Sequence, residues 1–286
     1  MGIDSNRYKV VIGSILNKNK ISRVMEEEKP DIIIHAAAYK HVNLMEENVD
    51  EAILTNLEGS KNVIDVAIEK NIKNFIFIST DKVVNPKNIM GATQRLIETY
   101  IQKKDCKNTK INIVRFGNVI KSNGSVIEIW EDQLKKGDAI MVAGKEVKRF
   151  FIAKSEAVKL VLIPVLQENS KEVFILNMGN LIPTQDIALC MIRARCLVPN
   201  IDIKIKYMEL GTGEKVSEDL FTQEEWENVE LMQNNHIYRL KKFVNRMDNV
   251  EEILEKLIND AKSQKSQHYL RQQFEQLFPT LKNGVV

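Results

Sequence analysis

The stretch FIFISTDKVVNPKNIMGATQR, residues 75–95, decides the fold that we predict for this chain. Its first four residues, 75–78, are apolar and rich in aromatic and β-branched side chains, which is typical of a strand covered on both faces. Polar residues Ser79, Thr80, Asp81 and Lys82 follow directly. Ligands of open parallel α/β sheets bind just beyond the carboxyl ends of the strands, so a hydroxyl, an acid and an amine here indicate proton chemistry. The alternative is that Thr80 and Asp81 only cap a turn.

Strand-like and helix-like segments alternate on both sides of this stretch. Further strands are predicted at Tyr8–Ile12, Asp31–Ile34, Ile111–Val114, Glu172–Asn177 and Ile201–Tyr207. Helices are predicted at Lys20–Glu28, Val49–Lys70, Met90–Lys103, 122–136 with Gly137 as its stop, Ser155–Leu166 with a kink or end near Pro164, Thr184–Arg193 with Thr184 as its cap, 249–263 and 267–276. The alternation predicts an α/β fold with a mostly parallel, doubly wound sheet.

Composition narrows the class of protein. With 286 residues the chain can bury a sizeable core in one or two domains, and a net charge of +2 does not single out a nucleic-acid partner. Three cysteines without a CxxC pair argue against a disulfide framework and favour a reducing, cytoplasmic setting. No apolar run approaches the roughly 18–20 residues of a membrane span. His35 and His41 lie six apart without a carboxylate at metal spacing, so no metal site is expected.

Five motifs occur in one order along the chain: HAAAYKHV at 35–42, STDKVVNP at 79–86, MGATQR at 90–95, RFGNV at 115–119 and GEK at 213–215. Together they resemble the extended short-chain dehydrogenase/reductase superfamily. Within it they resemble the polysaccharide-biosynthesis branch, the inverting UDP-N-acetylglucosamine 4,6-dehydratases. The resemblance covers roughly residues 8–242, and Met90 resembles the membrane-anchored members, since soluble members usually have tyrosine there.

The resemblance implies an internal redox reaction. NAD or NADP takes a hydride from sugar C4, a base removes the C5 hydrogen, water leaves from C6, and the hydride returns to C6. Lys82 would be the base, with a pKa lowered by burial, and Asp81, with a raised pKa, would protonate the leaving hydroxyl. Thr80 would hydrogen-bond the C4 oxygen. Retaining relatives carry glutamate in place of Lys82, so Lys82 suggests inversion at C5. Met90 stands at the superfamily's catalytic tyrosine position, and a plain core methionine is its alternative.

The resemblance assigns the cofactor to Ala36, Ala37, Lys40, Ser79 and Gln94. Ala36 and Ala37 are small where a nicotinamide ribose must pass close to the backbone. Gln94 replaces the lysine that the superfamily keeps, which removes a cationic contact and predicts weaker cofactor binding and lower activity.

The glycine-rich part of a dinucleotide site has no counterpart in this sequence, which contains no G-x-x-G-x-x-G spacing. Aligned by its motifs, the chain begins at the third strand of the fold, so we expect a Rossmann-like sheet without its first two strands and an incomplete cofactor site. A truncated gene product or a fragment would explain this pattern.

For the substrate, a UDP-sugar, the resemblance implies Asn118, Ser125, Arg149 and Glu214. Arg149 would face the diphosphate, because a guanidinium can bind two oxygens, and Glu214 would hold the uridine ribose. A solvated arginine and a surface glutamate are the alternatives. Gly-Thr at 211–212 replaces the family's usual Arg-Pro, which removes another cation.

Three regions are predicted: 1–120 as a partial dinucleotide-binding domain, 121–245 as a substrate-binding region interleaved with the last Rossmann elements, and 246–286 as a helical cap with Leu254, Leu257 and Ile258 as its buried stripe. By analogy, helices near 49–70 and 90–103 would form a homo-oligomer, a dimer or larger.

Three functions stay open. The first is a nucleotide-sugar 4,6-dehydratase. The second is a catalytically impaired remnant or partner subunit that binds UDP-sugar or pairs with an active relative. The third, a 4-epimerase or reductase, is weaker because epimerases of the superfamily keep the tyrosine that Met90 replaces.

Overall fold

A computed structural model describes residues 7–232, 236–241 and 247–284 and shows an α/β architecture around a six-stranded sheet. The helices are α1 Lys18–Glu28, α2 Val42–Glu47, α3 Val49–Ala52, α4 Ser60–Glu69, α5 Ile89–Lys103, α6 Val126–Lys136, α7 Lys154–Val161, α8 Thr184–Arg193, α9 Gln223–Trp226, α10 Val250–Lys262 and α11 Gln267–Leu277. The strands are β1 Ile32–His35, β2 Asn74–Thr80, β3 Lys110–Phe116, β4 Asn118–Val119, β5 Ile140–Ala143, β6 Lys148–Arg149, β7 Phe151–Ile152, β8 Val173–Leu176, β9 Ile182–Pro183, β10 Ile205–Met208, β11 Val229–Leu231 and β12 Ile237–Leu240. A π-helical segment, Ile53–Gly59, joins α3 to α4, and 3-10 turns lie at Asp81–Val83, Ile163–Leu166 and Pro279–Gly284.

The main sheet has the order β1-β2-β3-β8-β12-β11. Its first four strands pair in parallel, and β12 and β11 add two antiparallel strands at one side. Side chains of β2 alternate between the two faces, since Phe75 and Phe77 belong to one core cluster and Ile76 to another. The mostly parallel sheet that the sequence predicts is therefore confirmed.

Helices cover both faces of this sheet. The larger core cluster joins one face to α4, α5, α10 and α11, and the smaller one joins the other face to α7 and the 3-10 turn Ile163–Leu166. Leu254, Leu257 and Ile258 are buried in the larger cluster, as predicted for the C-terminal helices. Phe77 aligns with Ile113 of β3, so the two central strands end side by side and their following loops share one edge.

The predicted helix over residues 49–70 is present but changes its winding at Ile53–Gly59, which is π-helical. The wider turn contains Asn56, a fully buried residue among apolar neighbours. Asn56 accepts a hydrogen bond from the Tyr39 backbone N–H at 2.8 Å and donates from Nδ2 to the Tyr39 carbonyl at 3.1 Å. The segment thus anchors the loop after β1, and π-helical turns occur frequently at functional sites.

The predicted strand Tyr8–Ile12 is wrong: this segment has no strand pairing, and Ile12 is 85% exposed. The doubly wound order 3-2-1-4-5-6 supplies a reason, because its third strand pairs only with the second and its fourth pairs with the first. In the alignment predicted from the motifs, residues 8–12 would be the third strand and β1 the fourth. Without the strands between them among the described residues, residues 8–12 have no partner. β1 forms the edge of the sheet, with Ile32 and Ile34 exposed.

The other predicted ends of helices and strands agree in part with the structure. Gly137 ends α6 with φ +73°, and α7 ends at Val161 before the turn that contains Pro164, both as predicted. The strand predicted at 201–207 begins only at Ile205 and pairs with β5. Thr184 does not cap α8; its hydroxyl donates to the Val147 carbonyl at 3.2 Å, because it is the first helical residue rather than the residue before it.

The division into three regions stays a prediction, and its boundary at 245–246 touches residues 242–246, which lie outside the described part of the chain. A third core cluster, formed by α6, α8 and the β5–β10 pair, lies within the predicted substrate-binding region. Within the described ranges, no helix is both long and apolar enough to cross a membrane.

Candidate active site

A cavity of about 720 Å³ opens where β2 and β3 end. The loops after β1, β2 and β3, the face of α5, and the segment 213–218 line it. This volume lies within the range of small-molecule sites, roughly 300–1,000 Å³. The topology thus brings residues more than 170 positions apart in sequence, from Ala36 to Glu214, to one edge of the sheet.

Most of the predicted site residues line this cavity. They are Ala36, Lys40, Ser79, Thr80, Lys82, Met90, Gln94, Asn118, Ser125, Arg149 and Glu214. Ala37 does not line it, and its neighbour Ala38 does. Asp81 lies behind the wall, and a Cβ on Gly117 would come within 2.6 Å of its Oδ2 atom. The roles of these residues stay predictions, but the fold does bring most of them together around one cavity.

The turn after β2 is built by two contacts. Thr80 Oγ1 accepts a hydrogen bond from the Lys82 backbone N–H at 3.3 Å, so Thr80 does cap the turn, and it also donates to Asp81 Oδ1 at 3.0 Å. Helix α5 packs directly on the turn: a Cβ on Gly91 would lie 2.3 Å from the Lys82 carbonyl oxygen. Only glycine allows that approach, which fixes the turn against the helix carrying Met90.

Asp81 and Lys82 form a buried ion pair in which Nζ lies 3.1 Å from Oδ1. Burial raises the pKa of Asp81 and nearby Glu218 adds to the rise, although Lys82 opposes it. The predicted upward shift of the Asp81 pKa is confirmed. The predicted lowering of the Lys82 pKa is wrong. Burial by itself lowers it, but the carboxylates of Asp81 and Glu218 outweigh burial, so the pKa of Lys82 is raised.

Three residues of the cavity wall carry buried polar atoms without a hydrogen-bond partner among the described residues: Gln94 Oε1, Ser125 Oγ and Glu218 Oε2. Buried polar atoms in folded proteins are nearly always satisfied, so such atoms call for an explanation. Met90 and Gln94 lie four residues apart on α5, both 5% exposed or less. A polar ligand in the cavity would supply the missing partners, and the site therefore fits one.

Other predicted residues already have partners. Ser79 donates its hydroxyl to Glu98 Oε1 at 2.7 Å, and Lys40 reaches Ser122 Oγ at 3.4 Å. Arg149 is 8% exposed, and its NH1 donates to the carbonyls of Lys148 and Val216 at 2.9 and 3.2 Å. The alternative of a solvated arginine is therefore wrong, because backbone carbonyls hold the guanidinium in the cavity wall.

The segment that carries Glu214 is attached to the start of α5. Asn88 caps that helix by accepting from the Gly91 N–H at 2.7 Å, and its Nδ2 donates to the Gly213 carbonyl at 3.0 Å. Gly213 has φ +79°, a conformation that favours glycine. Asn88 thus positions Glu214 beside the cavity.

Sequence reasoning missed Lys215 and Glu218. Glu218 is 3% exposed and lies 3.4 Å from Lys82 Nζ, while Lys215 donates to the Val84 carbonyl at 2.7 Å. Both residues follow Glu214 in one motif, GEKVSE, so the sequence shows two further charged side chains next to a predicted site residue. What the sequence does not show is that this segment folds back onto the turn after β2.

Comparison with solved structures defines the class of protein. The X-ray structure of Pen from Bacillus thuringiensis matches with a TM-score of 0.76 at 32% identity, over 89% of this chain and 83% of that one. A dTDP-glucose 4,6-dehydratase from Streptomyces venezuelae matches with a TM-score of 0.69 at 12% identity, over 94% of this chain and 83% of that one, which shows the fold alone. The fold is the Rossmann-like fold of the extended short-chain dehydrogenase/reductase enzymes.

The chain belongs to the polysaccharide biosynthesis protein family, which it matches over residues 3–242. It is 40% identical to the capsular polysaccharide biosynthesis protein CapD of Staphylococcus aureus over 89% of this chain and 42% of that protein. It is 33% identical to a UDP-N-acetylglucosamine 4,6-dehydratase (inverting) of Campylobacter jejuni over 78% of this chain and 65% of that protein. A UDP-glucose 4-epimerase of Rickettsia conorii is 32% identical over 79% of this chain and 65% of that protein. The chain thus spans less than two thirds of each of these three relatives.

Proposed function

We propose that this chain acts as a C5-inverting nucleotide-sugar 4,6-dehydratase on a UDP-N-acetylhexosamine in the biosynthesis of a surface polysaccharide. The observation that carries the proposal is the buried Asp81–Lys82 pair, whose amine lines a cavity at the carboxyl end of β2. An acid and an amine that share protons beside a cavity are the groups that a dehydration needs. Similarity to the inverting dehydratase of Campylobacter jejuni supports the same reaction.

The cofactor would be NAD or NADP, and when bound it would supply the reversible removal of a hydride from the sugar. Gln94, whose Oε1 atom lacks a partner among the described residues, would hold a ribose hydroxyl of the nicotinamide half in the cavity that Met90 and the small Ala36 also line. Lys40 also lines the cavity, where its Nζ atom lies 3.4 Å from Ser122 Oγ. The glycine-rich turn that holds a pyrophosphate in such folds has no counterpart in this sequence, so these residues fit only the nicotinamide end.

The proton steps follow from the Asp81–Lys82 pair. Transfer of one proton from Lys82 Nζ to Asp81 Oδ1, across 3.1 Å, leaves a neutral amine and a neutral carboxyl. The amine would then take the C5 proton of the substrate. The carboxyl would give its proton to the Thr80 oxygen while the Thr80 hydroxyl, which donates to Asp81 in the resting state, turns its own proton to the departing C6 hydroxyl. Thr80 lines the cavity while Asp81 does not. The elimination thus leaves the pair as an ammonium and a carboxylate, its starting state. The proton released from the C4 hydroxyl when the hydride leaves, and the proton that C5 takes from solvent when the hydride returns to C6, balance each other over the turnover.

The rest of the cavity wall would hold the UDP group. Arg149 brings a buried cation suited to phosphate oxygens, and Asn118 and Ser125 bring neutral hydrogen-bonding groups. Ser125 Oγ has no partner in the described residues, so it is available to a ligand. Glu214 would accept from ribose hydroxyls.

The test is incubation of the purified chain with UDP-N-acetylglucosamine and NAD in D₂O, followed by NMR of the C5 position. Deuterium at C5 and a 4-keto-6-deoxy product are expected for the wild type, and neither for Lys82→Ala. Lys154→Ala, an exposed lysine at the start of α7, is the control and should exchange like the wild type. Exchange that persists in Lys82→Ala would place the base elsewhere.

A second candidate is a chain that binds UDP-sugar without turnover, or pairs with an active relative. Two observations favour it: the neutral Gln94 in the cofactor end of the cavity, and the raised pKa of Lys82, which disfavours the free amine. Native mass spectrometry separates the two candidates, since UDP-N-acetylglucosamine bound without a dinucleotide would support this one.

The third function considered, a 4-epimerase, is disfavoured because Met90 provides no hydroxyl at the position of the catalytic tyrosine. A homo-oligomer stays a proposal, and its suggested helices, residues 49–70 and α5, already pack against α10 and α11 of the same chain.

A further inference from the structure

Glu218 is a buried acid with no assigned role beside the Asp81–Lys82 pair. Its side chain is 2% exposed, and its Oε1 atom lies 3.4 Å from Lys82 Nζ. Its Oε2 atom lies 3.9 Å from Lys215 Nζ, too far for a hydrogen bond, and has no other partner in the part of the chain described. Glu218 also lines the cavity.

The charges that face this position come from three parts of the fold. Asp81 and Lys82 belong to the turn after β2, Arg149 to β6, and Lys215 and the exposed Asp219, which acts on Lys215, to the same segment as Glu218. Asp81, Glu218, Lys82 and Lys215 together balance two negative charges with two positive ones. Lys82 Nζ lies between two carboxylates, 3.1 Å from Asp81 and 3.4 Å from Glu218. Removal of the Asp81 or the Glu218 carboxylate therefore changes the electrostatic potential at Lys82 and at the carboxylate that remains.

We propose that Glu218 is a positioning residue that holds the Lys82 ammonium against Asp81 and controls how firmly the pair keeps its proton. It acts through Lys82 and exchanges no proton itself. Its negative charge opposes the ionisation of Asp81 and the deprotonation of Lys82 alike. In the proposed dehydratase this charge sets the pH range in which the pair holds the one proton that it needs. Only this effect on the pH range of the reaction rests on the proposed dehydratase function; the effect of Glu218 on the Asp81–Lys82 pair does not.

The direct test is a pH titration of the Asp81 carboxyl by NMR on the full chain, with ¹³C at the aspartate carboxyl carbons. The Asp81 signal is identified by its loss in Asp81→Asn. In Glu218→Gln, whose amide oxygen can still accept from Lys82, the Asp81 midpoint should move to lower pH than in the wild type. Asp219→Asn is the matched control, because it removes one charge at the next residue, which is exposed and outside the cavity, and the midpoint should not move.

A second variant should shift the Asp81 midpoint in the opposite direction, and it keeps the proposal testable if Glu218→Gln does not fold. Lys215→Gln removes the cation that lies 3.9 Å from Glu218 Oε2, so the Asp81 midpoint should move to higher pH. An unchanged Asp81 midpoint in Glu218→Gln, or an equal shift in Asp219→Asn, would overturn the proposal. So would a downward shift in Lys215→Gln.

The pH dependence of kcat/KM for C5 exchange adds a readout that a purely structural role would not change. In Glu218→Gln both limbs of the profile should move to lower pH, whereas simple loss of folded protein would lower the curve without moving it. The two hypotheses fail separately. A wild type that never exchanges C5 would contradict the dehydratase, while the Asp81 titration would still decide the role of Glu218.

Discussion

Two buried charge clusters each include residues of the same short segment, residues 79–82. They differ in how many of their carboxylate oxygens accept hydrogen bonds. The arginine cluster consists of Ser79, Arg95, Glu98, Arg115 and Glu225. Each of its four carboxylate oxygens accepts at least two hydrogen bonds. The lysine cluster consists of Asp81, Lys82, Lys215 and Glu218, and one oxygen of each of its acids has no partner in the described residues.

We interpret the arginine cluster as structural and the lysine cluster as part of the proposed catalytic site. Burial of a charge costs free energy that only good geometry and complete hydrogen bonding offset. The arginine cluster meets that condition, with bonds of 2.7 Å from Arg115 to both oxygens of Glu98, and it ties β3 and α5 to the segment around α9. The lysine cluster keeps unsatisfied oxygens and shifted pKa values beside a cavity, which is the pattern of a site that acts on a ligand.

The largest expected effect is on stability, from Arg115→Ala. Arg115 is fully buried and pairs with Glu98 and Glu225, so its loss leaves two buried carboxylates without their main cation. We expect the free energy of unfolding to fall by about 3–5 kcal/mol, measured by urea denaturation. Arg23→Ala is the control, because Arg23 forms only an exposed pair with Glu27 at 3.8 Å. A loss below about 1 kcal/mol for Arg115→Ala would show that the cluster does not stabilise the fold.

The arginine cluster also predicts a loss of stability in acid. Burial opposes ionisation of Glu225, but Arg115 and hydrogen bonds lower its pKa from 4.5 to about 2. A carboxyl with a lowered pKa stabilises the fold above its unfolded value, and this contribution disappears as the pH falls from 4.5 to about 2. The contribution amounts to about 3 kcal/mol. The difference in unfolding free energy between wild type and Glu225→Gln should therefore shrink over this range, and a constant difference would contradict the pKa.

Asp81→Asn should affect stability little and activity severely. The amide oxygen can still accept from Thr80 and Lys82, and Glu218 remains 3.4 Å from the Lys82 ammonium as its counter-charge. We expect the unfolding free energy to stay within about 1 kcal/mol of the wild type. C5 exchange should fall about 10²–10⁴-fold. A stability loss as large as that of Arg115→Ala would make the lysine cluster structural as well.

The smallest expected effect is from Gln94→Lys, which replaces a neutral amide, whose Oε1 atom lacks a partner in the described residues, by a cation in the cavity wall. Binding of NAD should tighten about tenfold, equivalent to about 1.4 kcal/mol, as measured by isothermal titration calorimetry. Gln94→Met, of similar size but uncharged, is the control and should not tighten binding. Equal affinities in the two variants would remove the missing charge as a reason for weak cofactor binding.

The comparison also shows which features a sequence can reveal. The strand, turn and helix of residues 75–95 and the two-sided sheet follow from periodicity, because burial on both faces requires continuous apolar strands. The arginine cluster was not predicted, since Arg115 and Glu225 lie 110 residues apart. Residues 8–12 were predicted as a strand from composition alone, but a strand forms only where a neighbour supplies the hydrogen bonds.

The sequence by itself determined the alternation of the main strands and helices, the family, and the place of an acid and an amine at the end of a central strand. Local residue type is enough for these features. Only the tertiary structure decided the direction of the Lys82 pKa shift, because burial lowers that pKa while Asp81 and Glu218 together raise it. Glu218 lies 136 residues further along the chain and 3.4 Å away in the fold. The tertiary structure also decided that Arg149 is held by carbonyls and that Asp81 lies behind the cavity wall. Charges act through distance in space, and the folded chain alone sets those distances.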